Sequence, residues 1–153
     1  MDVLTANGDN ADYTPFAKHY HGVRVYLNDG ENNFVEAVFY PLNGAYKALP
    51  VDFDGDGDLD IAAISFFPDY EKAPEESFVY LENEGDMAFV AWTFLAATDA
   101  RWLTMDAGDI DGDGDEDIVL GAFVRGASNV PPALEKRWQR EATSILILRN
   151  KHF

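Results

Sequence analysis

The sequence predicts an all-β chain built from repeated four-stranded antiparallel units. Three observations predict it: a segment that recurs at near-constant spacing, short runs rich in β-branched and aromatic residues, and Asn/Asp/Gly turns between those runs. Asp2-Val3-Leu4-Thr5-Ala6-Asn7-Gly8 aligns with Asp60-Ile61-Ala62-Ala63-Ile64-Ser65-Phe66 and with Asp117-Ile118-Val119-Leu120-Gly121-Ala122-Phe123. The leading aspartates are 58 and then 57 positions apart.

The aligned segment is the first strand of each repeat. A second apolar run follows at Val23–Leu27, Phe78–Leu81 and Ile145–Leu148, and each ends near an asparagine: Asn28, Asn83 and Asn150. Asn28-Asp29-Gly30 and Asn83-Glu84-Gly85 then supply hairpin chemistry. A third run starts at Phe34 and Phe89, and a fourth at Tyr46 and Leu103. Four short strands in about 57 residues suit one blade of a β-propeller.

One blade cannot bury both faces of its sheet, so blades stack on neighbours. The repeats run over about 1–51, 52–108 and 109–153, which makes a partial β-propeller of about two and a half blades within one domain. A closed ring needs at least four. The expectation is therefore a fragment of a longer protein, whose remaining blades cover the exposed faces, or a self-associating chain.

Composition supports a packed fold. The chain is 47% hydrophobic and 14% aromatic, which is enough for a core. The formal charge of −17 repels phosphates and anionic headgroups, which argues against nucleic acid and membrane surfaces as partners. There is no cysteine, hence no disulfide and no thiolate chemistry. No run of 18 apolar residues is present, so membrane insertion is not expected, and Met1–Thr5 does not read as a signal peptide.

The acid is concentrated. Asp52-Phe53-Asp54-Gly55-Asp56-Gly57-Asp58-Leu59-Asp60 and Asp109-Ile110-Asp111-Gly112-Asp113-Gly114-Asp115-Glu116-Asp117 both fit D-x-D-x-D-G-x-x-D. Carboxylates this close repel one another unless a cation holds them. In this pattern the first, third and fifth residues aim oxygens at one centre, the glycine permits a sharp turn, the seventh offers its carbonyl and the ninth another carboxylate. Oxygen donors without His or Cys favour Ca²⁺ over zinc or copper, and Mg²⁺ prefers fewer protein ligands. An EF-hand requires an acid at position twelve, where this chain has Ala63 and Leu120, and a β-like run follows instead of a helix.

A loop of this kind running straight into a strand, as in Asp109–Asp117 and then Ile118-Val119-Leu120-Gly121-Ala122, resembles the FG-GAP/VCBS repeats of integrin-α-like propellers and bacterial surface proteins. The resemblance covers nearly the whole chain. It implies calcium-binding hairpin loops, one Ca²⁺ each, and so two sites. Asp52, Asp54, Asp56 and Asp60 would be side-chain ligands of the first, with the Asp58 carbonyl; Asp109, Asp111, Asp113 and Asp117, with the Asp115 carbonyl, would make the second. Asp2 matches only the ninth position of a loop. The Phe-Gly and Gly-Ala-Pro signatures of the family have only a partial echo in Gly121-Ala122-Phe123.

The longest connections, 8–22, 66–77 and 123–143, fall at one offset and so on one face, opposite the Asp loops. Tyr13, Tyr20, Phe67, Tyr70 and Trp138 lie there as candidate contacts for a sugar or a protein; the competing expectation is that such aromatics fold back over the sheets. His19-Tyr20-His21 has alternating histidines that would share a face on a strand and could chelate; the competing expectation is a hydrogen-bonded structural role. Pro131–Ala142 predicts a short helix carrying the basic residues Lys136, Arg137 and Arg140, as a docking patch or a solvated face.

No nucleophile with its base is apparent, and Glu75 and Glu76 read as a solvated turn. The expected function is a non-catalytic, calcium-stiffened module for recognition or scaffolding of a protein or glycan outside the cytoplasm, with extracellular, cell-surface or periplasmic sites all possible. The alternative is the non-catalytic propeller part of a secreted polysaccharide-acting enzyme.

Overall fold

The computed structural model describes residues 1–8, 18–124 and 130–151. Among the described residues, ten strands form three antiparallel sheets. β1 (Val3–Asn7), β2 (Gly22–Asn28) and β3 (Phe34–Pro41) make the first, in chain order. β4 (Ala45–Val51), β5 (Asp60–Ser65), β6 (Phe78–Asn83) and β7 (Phe89–Trp92) make the second. β8 (Trp102–Gly108), β9 (Asp117–Ala122) and β10 (Ile145–Leu148) make the third. A single α-helix among the described residues, α1 (Pro132–Glu141), joins β9 to β10, beginning at a proline whose fixed φ suits a first turn.

Sequence repeats and sheets are out of phase. The fourth apolar run of one repeat pairs with the first strand of the next: Val51 faces Asp60 across β4 and β5, and Gly108 faces Asp117 across β8 and β9. Each Asp-rich segment is thereby the connection of a hairpin within one sheet. Both hairpins carry a register shift at the same repeat position, between Ala45 and Lys47 and between Trp102 and Thr104. A bulge at that point sharpens local twist.

The middle sheet is the core because β5 buries both of its faces. Ala62 and Ile64 pack with Phe78, Trp102, Met105, Ile118 and Leu120 toward the third sheet. Ile61 and Ala63, pointing the other way, pack with Val23, Leu42, Val79 and Leu81 toward the first. Burial on both faces thus gives β5 an unbroken apolar run, Ile61–Ile64, between the polar ends Asp60 and Ser65, with every residue buried. Lys47 reaches from the second sheet to the third, its Nζ donating to the Met105 carbonyl. Among the described residues no helix is long and apolar enough to cross a membrane.

Candidate metal centres and the opposite face

The two β-hairpin connections are built alike. Asp52 Oδ1 accepts the Gly55 N–H at 2.8 Å and its Oδ2 the Gly57 N–H at 3.1 Å. Asp109 repeats this with Gly112 at 2.7 Å and Gly114 at 3.1 Å. The turns require positive φ at Gly55 (75°), Gly57 (100°), Gly112 (82°) and Gly114 (100°), a region that glycine enters at no steric cost. Seventh-position Asp58 and Asp115 donate their N–H groups to the carboxylates of Asp56 and Asp113, at 2.9 and 3.1 Å.

This winding brings carboxylates together. Oxygens of Asp52, Asp54 and Asp56 lie within 4.8 Å of one another, and so do those of Asp109, Asp111 and Asp113. Desolvation, followed by the charges of Asp60, Asp56 and Asp52, raises the Asp54 pKa against its hydrogen bond from Asp56. Asp111 is raised by desolvation and then by Asp113 and Asp117, with Arg149 opposing at 3.3 Å. Three hard oxygen donors at such distances, on a loop folded around them, fit a divalent cation of the Ca²⁺ class.

Ninth-position Asp60 and Asp117 are placed differently from the triads. Both are buried, at 0% and 1% exposure, and both oxygens of each already accept hydrogen bonds. Asp60 takes the Phe53 N–H at 3.1 Å, the Asn83 N–H at 2.8 Å and the Tyr80 hydroxyl at 2.7 Å. Asp117 takes the N–H of Ile110 at 3.2 Å and of Asn150 at 2.8 Å. A carboxylate offers about four lone-pair positions, so one remains on Asp60 and two on Asp117. Burial and the neighbouring Asp60 push the Tyr80 phenol far above its ordinary pKa. Tyr80 was not legible as part of this loop, since its alignment partners in the other repeats, Val25 and Ile147, carry no hydroxyl.

On the opposite face, Tyr70 and Trp138 are folded in, at 6% and 2% exposure, and meet edge to face at 5.6 Å. Trp138 Nε1 donates to the Thr98 carbonyl at 2.9 Å. Phe67 is half-buried against Phe66, with centroids at 4.8 Å, while Tyr20 is 54% exposed. Tyr13 lies outside the described residues.

The chelating reading of the histidines needs correction. Residues 19–20 form a turn instead of a strand, leaving His19 exposed and His21 buried, so the two histidines share no face. His21 Nδ1 accepts the Gly44 N–H at 3.2 Å and lies 3.1 Å from Asn43 Oδ1. Of the basic residues of α1, Lys136 and Arg140 are exposed, while the half-buried Arg137 guanidinium binds Thr98 and Asp99 and reaches Glu141 at 3.7 Å. Trp92, Phe94 and Tyr80, which no local sequence signal marks, help line an open groove of about 400 Å³ between the second and third sheets.

Residues 1–63 match the family model described as FG-GAP-like repeat. No curated protein and no solved structure matches the chain.

Proposed function

We propose that the chain, whose residues 1–63 match the FG-GAP-like repeat family model, is a calcium-holding β-propeller module that recognises or scaffolds a protein or glycan outside the cytoplasm. The supporting observation is the pair of Asp triads, each with its oxygens within 4.8 Å, on equivalent hairpins of neighbouring sheets. Asp52, Asp54 and Asp56 hold one ion and Asp109, Asp111 and Asp113 the other. The carbonyls of Asp58 and Asp115 and the remaining lone pairs of Asp60 and Asp117 complete the oxygen sets.

In this reading calcium is structural. It removes the mutual repulsion of the triads and ties metal binding to folding of the hairpins. The repeats 1–51, 52–108 and 109–153 act as one unit, with further blades of a parent chain or other copies covering the outer sheet faces. The chain carries no catalysis of its own, in keeping with repeats that are typically non-catalytic.

Calcium titration by calorimetry, with thermal unfolding followed in calcium and in EDTA, tests this. Two ions per chain and a melting midpoint that falls on chelation support it. No heat and an unmoved midpoint would overturn it.

A further inference from the structure

Arg101, the residue before β8, is completely buried. Its Nε donates to the Phe66 carbonyl at 2.9 Å, and its guanidinium lies over the Phe66 ring at 3.8 Å and the Phe67 ring at 4.9 Å. The donors on Nη1 and Nη2 have no partner, and no carboxylate pairs with the cation among the described residues. The hydroxyl of buried Tyr70, near enough to feel the Arg101 charge, is also without a partner.

A buried guanidinium stays charged, because it does not give up its proton in proteins. Aromatic faces compensate for only part of a lost hydration shell. Water would satisfy the N–H groups but leave the charge unbalanced. Unpartnered buried donors of this kind call for an occupant.

We propose that Arg101 and Tyr70 form a binding site for a small carboxylate anion. With Nε committed to Phe66, the two Nη atoms present the planar fork that a carboxylate fills with two parallel hydrogen bonds, and the Tyr70 hydroxyl donates a third. Complete burial of Arg101 selects an occupant small enough to be enclosed, of formate or acetate size. The site stands apart from the Asp triads. Phe66 follows the end of β5 and Arg101 precedes the start of β8, whereas the Asp loops join the other ends of these strands. It therefore does not depend on the calcium reading.

The full chain, kept in constant calcium, is unfolded thermally in increasing formate, acetate, phosphate or chloride at fixed ionic strength. Formate and acetate are expected to raise the midpoint and then saturate, with dissociation constants on the order of millimolar. Chloride should leave the midpoint unmoved. Arg101→Met should fold and lose the response, and Arg101→Lys should weaken it by about tenfold or more through loss of the fork. Should Arg101→Met fail to fold, ¹⁵N-arginine spectra of the unaltered chain give the reading: Arg101 Nη–H resonances that shift with formate support the site. Four salts acting alike, or midpoints and resonances indifferent to formate, would overturn it. A saturable response to phosphate alone would replace the carboxylate with a tetrahedral anion and so also overturn the assignment.

Discussion

Asp60 Oδ1 accepts the backbone N–H of Asn83 at 2.8 Å, fastening the start of β5 to the end of β6. The same bond joins Asp117 to Asn150 at 2.8 Å and Asp2 to Asn28 at 2.9 Å. One aspartate position therefore clasps the first two strands of all three repeats, including the repeat whose Asp loop is represented by Asp2 alone. The three clasps differ in burial, and that difference sets their energetic weight.

Asp60→Ala would leave two backbone N–H groups and the Tyr80 hydroxyl without their buried acceptor, at a cost of about 3 kcal/mol or more. Asp117→Ala, with two donors orphaned, should cost about 2 kcal/mol. Asp2→Ala is exposed and should cost less than about 1 kcal/mol. Urea unfolding in EDTA measures the series free of any metal contribution. Equal losses at all three positions would contradict burial as the deciding factor.

Asp54→Ala disturbs little of the loop itself, since the bond its carboxylate accepts, from the Asp56 N–H, is exposed. This variant should lower calcium stoichiometry from two to one, and Asp111→Ala should do the same at the other hairpin. The double variant should bind none and melt identically with and without EDTA. Calorimetric stoichiometry that stays at two in either single variant would assign the ions to other residues.

Tyr70 gives the fold a sensitivity to alkali. Burial pushes its phenol from 10.0 up to about 12, against the lowering effect of Arg101. A group whose pKa is raised by folding contributes stability that is intact below the unfolded value. This contribution is lost as pH climbs from 10.0 to about 12. The two-unit shift corresponds to roughly 2–3 kcal/mol. Tyr70→Phe should remove this dependence and, having no hydroxyl partner to lose, alter neutral-pH stability by less than about 1 kcal/mol. Stability curves of the two proteins that stay parallel from pH 9 to about 12 would refute the assignment.

Trp138 anchors α1 through Tyr70 and the Thr98 carbonyl. Trp138→Ala should therefore cost about 3–5 kcal/mol. Lys136→Ala, on the exposed side of the same helix, should stay within about 0.5 kcal/mol. Denaturant midpoints of the two variants check the contrast.

The strands and the Asp loops were legible because their signals are local. Phe34 and Phe89 open β3 and β7 where the third apolar runs begin, and Ile145–Leu148 is β10 residue for residue. The loop glycines take up positive φ within a few residues of the carboxylates they serve. A turn of nine residues is specified by those nine residues. The helix from Pro132 was readable for the same reason.

The amino-acid order by itself determined the repeat, the strand edges and where acid gathers, since these follow from neighbours along the chain and the alternation of side chains. The tertiary structure alone decided which sheet β4 and β8 join, that Asp60 and Asp117 are buried acceptors, and that Tyr70 and Trp138 close on each other. It alone enclosed Arg101 against Phe66, 35 residues away, with no carboxylate beside it. Periodicity states which face a residue takes, but pairing and burial depend on what stands opposite, and that is set by distant segments meeting in space.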